Sequence, residues 1–198
     1  MRLHIGSGAI NLEGWVNVDR APYPGVTHVL DIRAGLPFSE VDYIFCEHFV
    51  EHLTLREGLQ FLRECRQALS PDGVLRISTP NLDWVWLTHY RPPGELVDGE
   101  AVTACLELNR AFHGWGHKFL YNRATLSAAL RDSGFRDLKE FAFGESDIEA
   151  LQNLERHERS PDHAAAPHIL IIEASGRSTV ERDFNQKLEP YLRDVDCS

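Results

Sequence analysis

The sequence predicts an α/β fold: a mostly parallel sheet of seven strands, helices on both faces and an inserted cap. Three observations predict it. Short apolar runs recur between polar turns, the clearest helical segment lies between two of them, and one aromatic stretch rich in Pro and Gly interrupts the alternation. Strand–helix–strand alternation calls for parallel strands joined by right-handed crossovers.

Leu3–Ile5 is a brief apolar run stopped by Gly6-Ser7-Gly8, and Val16–Asp19 alternates as a half-buried strand does. About ten residues separate them, room for a turn or one short helix. His28–Ile32 and Val41–Cys46 are the third and fourth candidate strands, the latter nearly continuous in apolar residues, as a strand covered on both sides must be. Thr54 and Glu57 then form a capping-box pattern, and Leu55, Leu59, Leu62, Cys65 and Leu69 recur at helical spacing. Ser70-Pro71-Asp72-Gly73 reads as the end of that helix, and Val74–Thr79 as the fifth strand, closed by Pro80.

Residues 82–120 break the pattern with Trp84, Trp86, Tyr90, Phe112, Trp115 and Phe119 and read as the cap. A further helix opens at an Asn122 cap, buries Leu126, Ala129 and Leu130 and stops at Gly134. Phe135–Phe143 and His168–Ala174 are the last two strands. The polar, His-rich stretch Glu145–Pro167 and the charged tail 175–198 read as peripheral. The domain is therefore expected over 1–174, with the cap inside it and the tail outside.

Composition narrows function. The 198 residues suit one domain, and a net charge of −10 with no Lys/Arg cluster disfavours sequence-independent binding to nucleic acid. The four cysteines (Cys46, Cys65, Cys105, Cys197) form no C-x-x-C pair, so they read as reduced thiols of a cytoplasmic protein. No apolar run suits an export leader or a membrane span, so no membrane partner is expected.

The chemistry concentrates at the ends of the first strands. Gly6-x-Gly8 lets a ligand approach backbone where a side chain would collide. Asp19, ending the next strand, offers a carboxylate that can accept from both hydroxyls of a ribose. Dinucleotide sites normally add a third glycine and an acidic residue about 20 positions on; here Asn11 stands in the glycine's place and Asp19 comes too soon. His48-Phe49-Val50-Glu51-His52 also reads as H-x-x-E-H, a zinc-peptidase pattern, but it follows a strand and precedes the Thr54 cap, so the two histidines need not share a helical face. His113 and His117 are again four apart, with Gly114-Trp115-Gly116 between them marking a loop. They suit an acceptor pocket in which Trp115 or Tyr121 packs on an organic ring; no metal site is expected.

In order and spacing, Leu3-His4-Ile5-Gly6-Ser7-Gly8, Gly14–Asp19, Asp31-Ile32 before Leu36-Pro37-Phe38, Val41–Ile44 running into Glu51-His52-Leu53, Leu69–Gly73, and Gly116-His117 through Gly134-Phe135 resemble the class I S-adenosylmethionine-dependent methyltransferases. The narrower resemblance is to a bacterial group of small predicted methyltransferases, and it spans about residues 3–174. It implies a Rossmann-like sheet whose last strand is antiparallel and S-adenosylmethionine as cofactor. Gly6 and Gly8 would then pass the methionine part, Asp19 would hold the ribose, Asp31 and Ile32 would border the adenine, and Cys46, Glu47 and His48 would lie beside the methionine. The acceptor is expected to be a small molecule or sugar derivative, with His48, His52, His113 and His117 as candidate bases. Two other readings stand beside this one: a non-catalytic binder of the same cofactor, and a zinc hydrolase built on His48, Glu51 and His52.

Overall fold

The computed structural model describes the chain except residues 93, 95–96, 158–159, 179–183 and 196–198, so Cys197 lies outside the described residues. Seven strands form one sheet in the order β3-β2-β1-β4-β5-β7-β6: β1 (Arg2–Ile5), β2 (Val16–Asp19), β3 (His28–Val29), β4 (Val41–Glu47), β5 (Leu69–Pro80), β6 (Phe135–Glu140) and β7 (Ile169–Arg177). Strands β1 to β5 pair in parallel, and β7 runs antiparallel to both β5 and β6. This is the seven-stranded, mostly parallel sheet with an antiparallel last strand that the sequence predicts.

One face carries the main core. There Leu3 and Ile5 of β1, Ile44 and Cys46 of β4, and Leu75 and Ile77 of β5 meet α1 (Leu55–Ala68) and α4 (Arg123–Asp132). The Thr54 hydroxyl accepts from the Glu57 amide and the Glu57 carboxylate accepts from the Thr54 amide, so the capping box forms as spaced. Asn122 caps α4 by accepting from the Thr125 amide.

The opposite face is covered differently. Strand alternation turns Tyr43 and Phe45 of β4 and Val74 of β5 toward Leu12, Trp15, Leu151 and Leu154, so residues 9–15 and 144–157, with a single 3-10 turn at Glu149–Leu151, lie where crossover helices would. Within the stretch Glu145–Pro167, residues 145–157 are thus structural rather than peripheral. Its Glu155 carboxylate also pairs with buried Arg76 of β5 at 2.8 Å, and Glu173 of β7 holds the same guanidinium at 2.7 Å. Polarity concealed this role, because three buried charges carry part of the packing.

Other boundaries move for local reasons. Strand β5 begins at Leu69, paired with Val41 across an irregularity, so residues 70–73 continue the ladder instead of closing it. Gly73 is needed there, since a Cβ would lie 2.7 Å from the Val41 carbonyl oxygen. The third strand shrinks to two exposed residues because Asp31 caps a 3-10 turn, Ile32–Ala34. The cap holds α2 (Leu82–His89), α3 (Asp98–His113) and a 3-10 turn, Gly114–Gly116. Beyond β7 the charged tail forms α5 (Phe184–Val195), from which Leu192 packs on the main core. Among the described residues no helix is long and apolar enough to cross a membrane.

Candidate functional site

Two adjoining clefts open at the carboxyl ends of the parallel strands, where polar backbone left unpaired by the ladder can meet a ligand. The first begins where β1 ends. Gly6 and Gly8 turn the chain with φ of +69° and +54°, a conformation that costs an L side chain about 1–2 kcal/mol. Parallel pairing of Ile5 with Val18 sets Asp19 beside this bend. Its Oδ2 accepts from the Gly8 amide at 2.9 Å and its Oδ1 from the Ala21 amide at 2.9 Å. Each oxygen keeps a lone pair for a further donor.

The space above Gly8 is open: a Cβ there would meet nothing within 4 Å, whereas one on Gly6 would strike the Phe49 ring at 2.3 Å. The cleft, about 510 Å3, runs from the glycine bend and Asp19 past Asp31 and Ile32 to His48, Phe49 and His52, with Trp115 and Gly116 at its mouth. Asp31 is held by the Arg33 guanidinium and amide, and that hydrogen bonding pulls its carboxyl down to about 2. An open cradle beside a carboxylate with free lone pairs suits a nucleoside with a 2′,3′-diol.

Cys46 and Glu47 do not belong to this lining. The Cys46 side chain is fully buried in the main core, and that burial pushes its thiol well up. One residue on, the Glu47 side chain turns to the opposite face, where its carboxylate accepts from the Arg156 and His157 amides at 3.0 and 3.1 Å and pairs with the His157 ring at 2.9 Å. Burial raises the Glu47 carboxyl, but these hydrogen bonds outweigh it and the net shift is downward. Adjacent residues of a strand cannot both face one cleft.

The second cleft, about 720 Å3, lies under the cap. Six of the ten histidines line it: His48, His52, His89, His117, His157 and His168, together with Trp84, Trp115 and Arg110. His48, His52 and Trp115 line both clefts, so the two spaces share a wall. Trp115 takes a left-handed φ of 55°, is 70% exposed, and stands with its ring 5.7 Å from that of His117 at that junction. His113 is exposed and lines neither cleft, because it ends α3 on the outer side of the loop. Tyr121 is also no pocket residue: it is buried in the main core, and burial pushes its phenol well up. The sequence did not single out Phe49, His89, Arg110, His157 or His168; the histidine-rich stretch 145–167 pointed only to His157.

His48 sits at φ +46° directly after β4, ahead of the 3-10 turn Val50–His52, so H-x-x-E-H is not presented on an α-helix. Its Nδ1 lies 3.1 Å from Oε1 of fully buried Glu51, whose Oε2 accepts from the Thr79 hydroxyl at 2.9 Å. His48 Nε2 has no hydrogen-bond partner. The zinc-peptidase arrangement of His48 and His52 about a free glutamate is therefore not what forms.

Residues 14–77 match the family described as Methyltransferase domain. Over 68 residues the chain is 41% identical to a protein of Mycolicibacterium smegmatis described as a probable S-adenosylmethionine-dependent methyltransferase, a match covering 31% of this chain and 24% of that protein. The chain thus spans about a quarter of that relative. Among solved structures, an S-adenosylmethionine-dependent methyltransferase of Thermotoga maritima aligns with a TM-score of 0.57 at 13% identity, covering 89% of this chain and 81% of that one. Another from Archaeoglobus fulgidus aligns with a TM-score of 0.52 at 20% identity, covering 87% and 84%. At such identities the likeness is one of fold.

Proposed function

We propose that this chain, which carries a methyltransferase-domain segment on the fold of the class I S-adenosylmethionine-dependent methyltransferases, binds that cofactor in the first cleft and methylates a small-molecule or sugar-derived acceptor held in the second. The observation that carries the reading is the Gly8 amide on Asp19 beneath an open cradle. S-adenosylmethionine, when bound, supplies an electrophilic methyl group on a positively charged sulfur. The chain's own task is then positioning: the reacting atoms must be collinear and shielded from water.

Asp19 would accept from the ribose hydroxyls, and Gly8, with open space above it, would let the methionine part lie against backbone at the bend that Gly6 begins, where the missing side chain of Gly6 makes room for Phe49. Asp31 and Ile32 would border the adenine, with Arg33 already neutralising Asp31. His48, on the shared wall with Nε2 unpartnered, would take a proton from a hydroxyl or ammonium acceptor. His52 and His117 line the acceptor side. Trp115 would close the junction against water.

The test is thermal unfolding with S-adenosylmethionine, S-adenosylhomocysteine or NAD, followed by methyl-tritium transfer to a panel of hydroxy acids, catechols and hexoses. At a hundredfold excess over Kd, linkage adds about 2.7 kcal/mol, or about 5–10 °C for a domain of this size. The expected result is that shift with the first two ligands alone, and label transfer to at least one acceptor. Equal stabilisation by NAD, or none by any ligand, would remove the reading. Cofactor binding without transfer to any acceptor would leave the non-catalytic binder.

A further inference from the structure

The histidines of the acceptor cleft are not evenly spread. One oxygen of the Glu51 carboxylate and one ring nitrogen each of His52 and His117 lie within 4.8 Å of one another. They come from two separate segments, which the fold locks together: the Glu51 carbonyl accepts from the Lys118 and Phe119 amides at 2.8 and 3.2 Å. The His52 and His117 rings stand 5.2 Å apart and edge to face, at 68°.

Two further observations point to a ligand. His117 Nδ1 lies 2.8 Å from the Ala111 carbonyl oxygen, and a carbonyl can only accept, so Nδ1 carries the proton and Nε2 keeps its lone pair. Metal-binding imidazoles are oriented by this same kind of backbone contact. Glu51 is fully buried, and its Oε1 makes no directed hydrogen bond although His48 Nδ1 is 3.1 Å away. A buried carboxylate with an unused oxygen needs a positive partner.

We propose that Glu51, His52 and His117 form a binding site for one divalent transition metal ion on the wall of the acceptor cleft. Two imidazoles and a carboxylate make the nitrogen-rich set that suits zinc, cobalt or nickel above magnesium or calcium. Metal bonds of about 2.0–2.2 Å place tetrahedral ligand atoms about 3.3 Å apart. Rotation of the two half-buried rings closes the remaining gap. Three protein ligands leave a fourth position open, and His52 and His117 both line the acceptor cleft, so that position faces the acceptor. The ligand class is then an acceptor with an oxygen able to coordinate the ion, such as a hydroxyl beside a carboxylate or a second hydroxyl. This last step rests on the methyltransferase reading; the metal site itself does not.

Cobalt(II) titration of the tag-free chain, followed by visible absorption and by calorimetry, tests the site. The expected result is saturable binding of one equivalent, weakened about a hundredfold or more in His117→Ala and in His52→Ala. His113→Ala, at an exposed position outside the cleft, serves as control and should match the wild type. Circular dichroism on each variant, and S-adenosylhomocysteine affinity on His117→Ala, whose side chain lines the second cleft and not the first, establish that the fold stands. Absence of one-equivalent binding, or binding that survives both substitutions, overturns the proposal. Loss of cobalt binding with cofactor affinity intact supports it, and failure of cofactor binding in the wild type would sink the methyltransferase reading while leaving the metal result to stand alone.

Discussion

Asp19 joins the backbone to the site through one carboxylate. It ties the glycine bend to β2 by accepting from Gly8 and Ala21, yet each oxygen keeps capacity for a ligand donor. Hydrogen bonds to a charged group are worth about 1.5–3 kcal/mol. Asp19→Ala is therefore expected to weaken S-adenosylhomocysteine binding about 10- to 100-fold by calorimetry, with Asp19→Asn in between and far-UV circular dichroism unchanged. An affinity equal to wild type would mean that this carboxylate does not face the cofactor. In the proposed reading His48 works at the same scale, on the acceptor. His48→Gln is expected to lower kcat about a hundredfold, the low end for a lost general base, with a much smaller change in cofactor Kd; a KM effect alone would make His48 a binding residue.

At the scale of elements, the unusual feature is the second sheet face. Residues 9–15 and 144–157 cover it, and the latter segment is pinned at its end by Glu47. The hydrogen bond to Glu47 raises His157, in spite of its partial burial, and Glu47 itself is lowered. A raised histidine contributes stability that is full below its unfolded value near 6.5 and is lost as pH climbs through the folded value. The lowered Glu47 contributes above about 4.5 and loses its share as pH falls through its own folded value. The ring also faces His48, and Glu51 adds to its field. His157 is 46% exposed, so solvent screens the pair and the effect is modest. The urea midpoint difference between wild type and His157→Gln should be largest near pH 6 and shrink by pH 8.5. A difference independent of pH would show that the ring acts by packing, not charge.

For the whole molecule, what matters is that two clefts from different parts of the chain meet at His48, His52 and Trp115. The first is built mainly by strand ends of the first fifty residues and completed by His52, Trp115, Gly116 and Lys118; the second needs the cap, the 3-10 turn at Gly114–Gly116, and His157 and His168 from beyond α4. Trp115 is the one aromatic of the cap that borders both. Trp115→Ala should therefore weaken both cofactor and acceptor, each about fivefold, the worth of roughly 1 kcal/mol of aromatic contact. An effect on only one of the two ligands would place the ring in one cleft alone.

The sequence by itself determined the sheet, the capping box at Thr54 and the pairing of Gly6-x-Gly8 with Asp19. Each is written in local spacing: apolar alternation marks a strand, and parallel neighbours bring the end of β2 beside the end of β1. Only the tertiary structure decided which side chains enter the clefts. Strand alternation carried Cys46 into the core and Glu47 to the far face, Tyr121 proved to be core, and His113 stayed outside while His157 and His168 came in. The physical reason is that a cleft is made of residues far apart in the chain, and its lining depends on loop paths and buried charge pairs, such as Arg76 with Glu155, that leave no periodic trace.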